Sequence, residues 1–161
     1  MTDDDHNDHL LVTMAAEAAG LDAEFIFHDD GSMLLHRLEL LIGLDSLPDL
    51  LILDLRMPGL DGHRTLEALQ RHDVLWQIPV VVFSTSTRQA DEARAYANGA
   101  HWFVTKPSTF DGMVDFAKSL EWRANALPYD LGRARQTTPA IDLTEGSLIE
   151  EIEHFLGPTG E

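Results

Sequence analysis

Cysteine is absent from this chain of 161 residues, which excludes disulfides, thiolate zinc sites and cysteine catalysis together. Basic residues are also scarce, because 11 Lys and Arg face 28 Asp and Glu and give a formal net charge of −17. Such a chain offers no basic face for nucleic acid or for an anionic membrane surface. No signal-peptide pattern opens the sequence, and no apolar run approaches the ~18–20 residues of a membrane span. We therefore expect a cytoplasmic protein that binds neither nucleic acid nor membrane.

Apolar residues make up 44% of the chain, which is enough for the core of one ordinary domain. Short apolar runs alternate with amphipathic stretches, and this alternation is typical of parallel βα units. The pattern predicts strands over 23–28, 50–53, 78–83 and 101–104. It predicts helices around 11–18, 34–42, 64–71, 89–98 and 110–124. Asp8 or Asn7 is the expected N-cap of the first helix.

The C-terminal part of the chain changes character after the last of these helices. Residues 128–140 show little periodicity, and a further helix is expected where Ser147 and Glu150 form a capping box. Its large apolar residues fall on one face, namely Leu148, Ile149, Ile152, Phe155 and Leu156. We expect one domain over 1–126, followed by a linker and an amphipathic helix over 127–161. The apolar face predicts a homodimer, a partner complex or packing on the same chain.

Chemically distinct side chains follow the expected strands at their carboxyl ends. Asp54 comes directly after one buried apolar run, Ser84 ends the next, and Lys106 follows the last. Asp3 and Asp4 precede the first helix. Ligand sites of open parallel sheets form at this edge, where carboxylates suit Mg²⁺ and a hydroxyl and an ammonium suit phosphoryl oxygens. A carboxylate can itself accept a phosphoryl group. The set therefore predicts a Mg²⁺-dependent phosphoryl-transfer site.

This ordered set resembles the receiver domain of two-component response regulators. The run over 50–62 is similar to the family's phosphorylation strand and loop, and Lys106-Pro107 is similar to its lysine–proline pair, which usually has a cis bond. The resemblance covers residues 3–124. It implies an α/β fold, flavodoxin-like, with a doubly wound parallel five-stranded sheet in the order 2-1-3-4-5. It also implies a phosphorelay with a partner histidine kinase.

The resemblance assigns a role to each site residue. It implies that Asp54 is the phosphoacceptor and that Lys106 and Ser84 hold the phosphoryl oxygens. Ser84, with Thr85 as the competing hydroxyl, is the expected switch residue together with the aromatic Phe103. The expected reaction is self-catalysed phosphoryl transfer, so the chain is a signalling protein rather than an enzyme.

The resemblance also implies the metal ligands. Mg²⁺ is expected on Asp4, Asp54 and the backbone carbonyl of Arg56, with Asp3 bound through water. The eight histidines show no metal-ligand spacing and are expected on the surface or in the core.

A narrower resemblance concerns the kind of response regulator. Three features resemble the phytochrome-associated single-domain response regulators. They are the long segment between Asp30 and Asp54, the run Ser84-Thr85-Ser86, and a receiver that is followed by no recognisable output domain. This implies a phytochrome-like photoreceptor kinase as the partner. It also implies output through protein–protein contact.

The first strand departs from the family pattern, because only Met1 and Thr2 precede Asp3. Three explanations compete: a start set too far downstream, a degenerate receiver, or another segment in the central position of the sheet. The leftover strand-like segment is 139–143. We expect either low stability or a closed-up sheet in which 23–28 and 50–53 are no longer separated, because a missing central strand leaves backbone groups of both neighbours unpaired.

Three other functions are compatible with parts of the pattern. A degenerate receiver would act as a non-phosphorylated interaction scaffold. A phosphatase of the haloacid-dehalogenase type needs a second Asp where this chain has Arg56. A flavin-binding flavodoxin needs a hydroxyl- and glycine-rich phosphate loop, which the sequence does not contain.

Overall fold

The structure is a computed structural model that describes residues 1–44 and 46–125. The helices are α1 (His6–Ala19), α2 (Gly31–Ile42), α3 (Gly62–Arg71), α4 (Gln89–Ala97) and α5 (Phe110–Ala124). The strands are β1 (Leu51–Leu53), β2 (Val80–Ser84) and β3 (Trp102–Thr105), and a 3₁₀ helix, Leu75–Gln77, precedes β2. The described residues divide into two compact units: residues 1–10 with 24–106, and residues 11–23 with 107–125.

The first unit contains a parallel sheet in the order β1-β2-β3. The pairing of β1 with β2 begins at Leu51 and Val80, and the pairing of β2 with β3 ends at Ser84 and Thr105. All residues of β1 and β2 are buried, as expected for strands of a parallel sheet that is covered on both faces. The three predicted strands that end near Asp54, Ser84 and Lys106 are therefore present.

Residues 1–3 occupy the central position that the sequence left in doubt. Thr2 forms parallel bridges with His28 on one side and with Leu53 on the other. Its amide donates to the carbonyl of Ile52 at 2.8 Å, and its carbonyl accepts from the amide of Asp54 at 2.9 Å. The expected closed-up sheet is therefore wrong, because the first residues of the chain lie between the two segments.

The expected five-stranded sheet is only partly present. The order His28, Thr2, β1, β2, β3 follows the pattern 2-1-3-4-5, but the first two positions are single-residue bridges and not strands. The predicted strand over 23–28 is wrong except at His28, whose amide donates to the carbonyl of Met1 at 3.0 Å. The terminal ammonium of Met1 also donates to the carbonyl of Ile26 at 2.7 Å, so the contact extends towards the start of this segment without forming a regular strand.

Side-chain caps and one apolar cluster hold the helices of the first unit. The carboxylate of Asp30 accepts from two amides at the start of α2, and that of Asp61 accepts from the amide of Arg64 in α3. Gly99 ends α4 with a φ of +98°, as its position after the predicted helix suggested. The core of this unit is formed by Leu34, Leu38, Leu51, Leu53, Leu55, Met57, Leu66, Leu69, Leu75, Ile78, Val80, Val82, Ala95, Ala100 and Phe103.

The second unit contains α5, which begins after Thr109. The hydroxyl of Thr109 accepts from the amide of Gly112 at 3.2 Å, and Phe116 and Leu120 are among the buried residues of the helix. The predicted linker, the C-terminal amphipathic helix and the segment 139–143 lie outside the described residues. Within 1–44 and 46–125, no helix combines the length and the apolar character needed to cross a membrane.

Candidate functional site

Asp54 lies immediately after β1 and is held by main-chain contacts. Its side chain is buried, and its Oδ1 accepts a hydrogen bond from the amide of Leu55 at 2.7 Å. The loop that follows returns tightly, because a Cβ on Gly62 would lie 2.1 Å from the carbonyl oxygen of Asp54. Only glycine allows this close approach. The carboxylate is therefore held at the carboxyl end of the sheet.

Lys106 follows β3 and reaches three carboxylates. Its Nζ lies 2.7 Å from Oδ2 of Asp3, 2.7 Å from Oδ2 of Asp8 and 3.6 Å from Oδ2 of Asp54. Its amide donates to the carbonyl of Ser84 at 2.9 Å, which ties the lysine to the end of β2. An ammonium has three N–H donors, of which two are used on Asp3 and Asp8. Asp54 is the next carboxylate, at 3.6 Å from the same nitrogen.

The pKa values of this group reflect burial and pairing. Burial raises the pKa of Asp3, although the hydrogen bond from Lys106 opposes this effect. Burial disfavours the charged form of Lys106, but its hydrogen bonds to Asp3 and Asp8 outweigh burial and raise the pKa of the lysine above 10.5. Lys106 is therefore a cation at neutral pH, inside a largely buried site.

Three carboxylates converge beside this cation. Asp3, Asp4 and Asp54 each offer one oxygen, and these oxygens lie within 4.8 Å of one another. Asp3 and Asp54 are buried, whereas Asp4 is exposed. A set of carboxylate oxygens fits the preference of Mg²⁺ for hard oxygen ligands and for retained waters. Arg56, whose carbonyl was the fourth expected ligand, lies two residues after Asp54 and has an exposed side chain.

The expected switch residues both lie on strands of the sheet. Ser84 ends β2 and is fully buried, and its Oγ accepts from the amide of Ser86 at a long 3.4 Å. Thr85, the competing hydroxyl, is exposed. Phe103 belongs to the buried core, and its amide donates to the hydroxyl of Tyr96 at 3.2 Å. Ser84 is therefore the buried hydroxyl of the pair, and it ends β2, the strand that lies between β1, which leads to Asp54, and β3, which leads to Lys106.

Asp8 is the site residue that sequence reasoning assigned to another role. We expected Asp8 or Asn7 to cap α1, but the helix begins at His6 and the carboxylate of Asp5 accepts from the amide of Asn7 at 2.9 Å. Asp8 instead binds Lys106, which lies 98 residues further along the chain. The available signal was a further acidic residue close in sequence to Asp3 and Asp4.

One expectation about the backbone was wrong. The resemblance implied a cis bond before Pro107, but the described residues contain no cis peptide bond.

Comparison with known proteins gives the class of this protein. Residues 2–118 match the response regulator receiver domain, so the chain belongs to this family of two-component signalling proteins. It is 37% identical over 139 residues to the probable methanogenesis regulatory protein FilR2 of Methanothrix harundinacea (strain 6Ac), covering 85% of this chain and 86% of that protein.

Solved structures of phytochrome response regulators are also similar. The phosphorylated cyanobacterial phytochrome response regulator RcpA has a TM-score of 0.67 and 28% identity, over 74% of this chain and 87% of that one. The Mn²⁺-bound form of response regulator Rcp1 has a TM-score of 0.65 and 27% identity, over 74% and 88%. The expected resemblance to receiver domains and to phytochrome response regulators is confirmed.

Proposed function

We propose that the chain is a response regulator that accepts a phosphoryl group on Asp54 from a histidine kinase. The observation that carries this proposal is the arrangement around one buried carboxylate. Asp54 lies 3.6 Å from the ammonium of Lys106 and within 4.8 Å of carboxylate oxygens of Asp3 and Asp4. This arrangement combines a nucleophile, a cation for phosphoryl oxygens and an all-oxygen metal site.

The chemistry is a single displacement at phosphorus. A carboxylate oxygen of Asp54 forms the new O–P bond while the N–P bond of the donor phosphohistidine breaks, and the electron pair returns to the imidazole nitrogen. Asp4, Asp54 and the carbonyl of Arg56, with Asp3 through water, would hold Mg²⁺, which would supply positive charge to the phosphoryl oxygens. The third N–H of Lys106 donates to one of these oxygens, while Asp3 and Asp8 keep the ammonium in place.

The response to phosphorylation involves two buried residues of neighbouring strands. The long hydrogen bond that Ser84 Oγ accepts from Ser86 is weak, so the hydroxyl can turn and donate to a phosphoryl oxygen. This movement changes the space beside Phe103, whose ring belongs to the core of the same unit. The altered surface is then available to a protein partner, so output by protein–protein contact fits the −17 net charge, which disfavours nucleic acid.

The partner kinase belongs to the phytochrome-like class in this proposal. The support is the similarity to RcpA and Rcp1, each at more than a quarter identity over most of both chains. The competing function is a degenerate receiver that acts as a non-phosphorylated scaffold. A degenerate receiver has no need of a carboxylate, a hydroxyl and a lysine at adjacent positions of one sheet edge, so the arrangement favours phosphoryl transfer.

The test is phosphorylation of the full chain and of two matched variants. With acetyl phosphate and Mg²⁺, intact-mass spectrometry should show one added phosphoryl group on the wild type and none on Asp54→Asn. Asp61→Asn is the control, because Asn also caps helices and Asp61 lies in the same loop. A phosphorylated phytochrome-type kinase should give the same pattern. Labelling of Asp54→Asn at another aspartate, or no labelling of the wild type, would contradict the proposal and favour the scaffold.

A further inference from the structure

A second group of metal-ligating side chains lies outside the carboxylate site. His6 and His9 are three residues apart on α1, and Asp29 follows the bridge residue His28. One donor atom from each of His6, His9 and Asp29 lies within 4.8 Å of the others. His6 Nε2 is 3.1 Å from Asp29 Oδ1, and the two imidazole ring centroids are 5.3 Å apart. Sequence reasoning found no metal-ligand spacing here, because Asp29 is brought to the two histidines only by the fold.

We propose that His6, His9 and Asp29 bind a divalent transition-metal ion such as Zn²⁺, at a site separate from the Mg²⁺ site. Two imidazole nitrogens and one carboxylate oxygen form a ligand set that suits Zn²⁺, Co²⁺ or Ni²⁺, whereas Mg²⁺ prefers oxygen ligands alone. Three protein ligands leave an open position for water in a tetrahedral site. The all-oxygen set of the phosphoryl site has the opposite preference, so the two sites select different ions.

Both sides of this cluster are held by the surrounding structure. The ring of His9 stacks on that of Phe27, with centroids 4.4 Å apart and planes 22° from parallel. The amide of Asp3 donates to the carbonyl of His28 at 2.9 Å, which fixes the main chain next to Asp29. Ordered ligands lose less conformational entropy on binding, so the stacked ring of His9 and the fixed main chain beside Asp29 favour binding of an ion.

The ion pair between His6 and Asp29 does not by itself explain the arrangement. Their side chains are 75% and 55% exposed, and an exposed pair of this kind contributes little to stability. A bound ion would connect the first turn of α1 to the segment that follows the bridge at His28. Since binding only to the folded chain stabilises it, Zn²⁺ should raise the thermal midpoint in a concentration-dependent way.

The test is calorimetric titration of the full chain with Zn²⁺ in saturating Mg²⁺, which keeps the carboxylate site occupied. We expect one Zn²⁺ per chain and an affinity at least about tenfold lower in His6→Gln, because even the loss of an outer-shell partner of a metal ligand costs ~10–100-fold. His6 is exposed, so this variant should fold, and Asp29→Asn should weaken binding as well. The matched control is His36→Gln, which removes an exposed histidine of α2 and should bind as the wild type does.

Two further measurements separate this site from the phosphoryl site. Asp54→Asn should keep its Zn²⁺ affinity, and Co²⁺ should give visible absorption bands that disappear in His6→Gln. The proposal is wrong if Mg²⁺ displaces Zn²⁺ competitively, if Asp54→Asn abolishes Zn²⁺ binding, or if His6→Gln and His36→Gln bind with the same affinity.

Discussion

Replacing Lys106 with methionine should destabilise the chain strongly, because it removes the cation from a buried group of carboxylates. The lysine side chain is 9% exposed, and its partner Asp3 is 1% exposed. Removing one member of such a buried pair costs about 3–5 kcal/mol, since the other charge is left uncompensated. The loss is limited to about 4 kcal/mol, because Asp3 can take up a proton once the lysine is gone, and protonating an ordinary aspartate at pH 7 costs about this much. We therefore expect a loss of about 3–4 kcal/mol.

The assay is urea denaturation at pH 7 in EDTA, so that no divalent cation neutralises the aspartates. In a parallel thermal melt, a loss of about 3–4 kcal/mol corresponds to a fall of roughly 6–16 °C in the midpoint for a chain of this length. The matched control is Lys118→Met, because Lys118 pairs with Asp115 at 3.0 Å but both side chains are more than half exposed. Exposed pairs contribute about 0–1 kcal/mol. The double variant Lys106→Met/Asp3→Asn should recover part of the loss. Equal, small losses for the two lysine variants would refute the reasoning.

The pH dependence of this difference has a definite sign. The pKa of Lys106 is raised above 10.5, because hydrogen bonds to Asp3 and Asp8 outweigh burial, which disfavours the charge. Its stabilising contribution is therefore complete below pH 10.5 and is lost as the pH rises through the folded pKa. The stability difference between wild type and Lys106→Met should be smaller at about pH 12 than at about pH 9. An unchanged difference at the higher pH would show that the ammonium charge is not its origin.

Two glycine and two leucine substitutions test the fold that positions the site. Gly62→Ala should cost at least about 2 kcal/mol of folding stability and slow phosphorylation, because its Cβ would lie 2.1 Å from the carbonyl oxygen of Asp54. Gly43→Ala should be neutral within about 1 kcal/mol, because its Cβ would lie 3.7 Å from the nearest atom, the carbonyl oxygen of Leu40. Leu38→Ala should cost about 2–5 kcal/mol in urea denaturation and Leu40→Ala less than about 0.5 kcal/mol, because the two leucines of α2 are 1% and 52% exposed. A costly Gly43→Ala or a costly Leu40→Ala would contradict these expectations.

The sequence by itself determined the elements with strong local patterns. The apolar runs before Asp54 and Ser84 predicted strands that the structure contains, because residues buried on both faces of a parallel sheet must be apolar throughout. The order of Asp54, Ser84 and Lys106 then placed a carboxylate, a hydroxyl and an ammonium at one edge, because the carboxyl ends of parallel strands share an edge. The end of a helix could also be predicted where the backbone conformation favours one residue type, as at Gly99 after α4.

The tertiary structure decided the contacts that have no local pattern. The segment 23–28 looked like a strand, yet within it only His28 forms a bridge, because the hydrogen bonds of a parallel strand are made to its neighbour and not within the segment itself. Thr2 looked too close to the start to form the centre of the sheet, yet it bridges both neighbours. The contacts of Asp8 with Lys106 and of Asp29 with His6 join residues 98 and 23 positions apart. Such pairs follow from the path of the chain, because short-range periodicity carries no information about which distant side chains the fold brings within hydrogen-bonding distance.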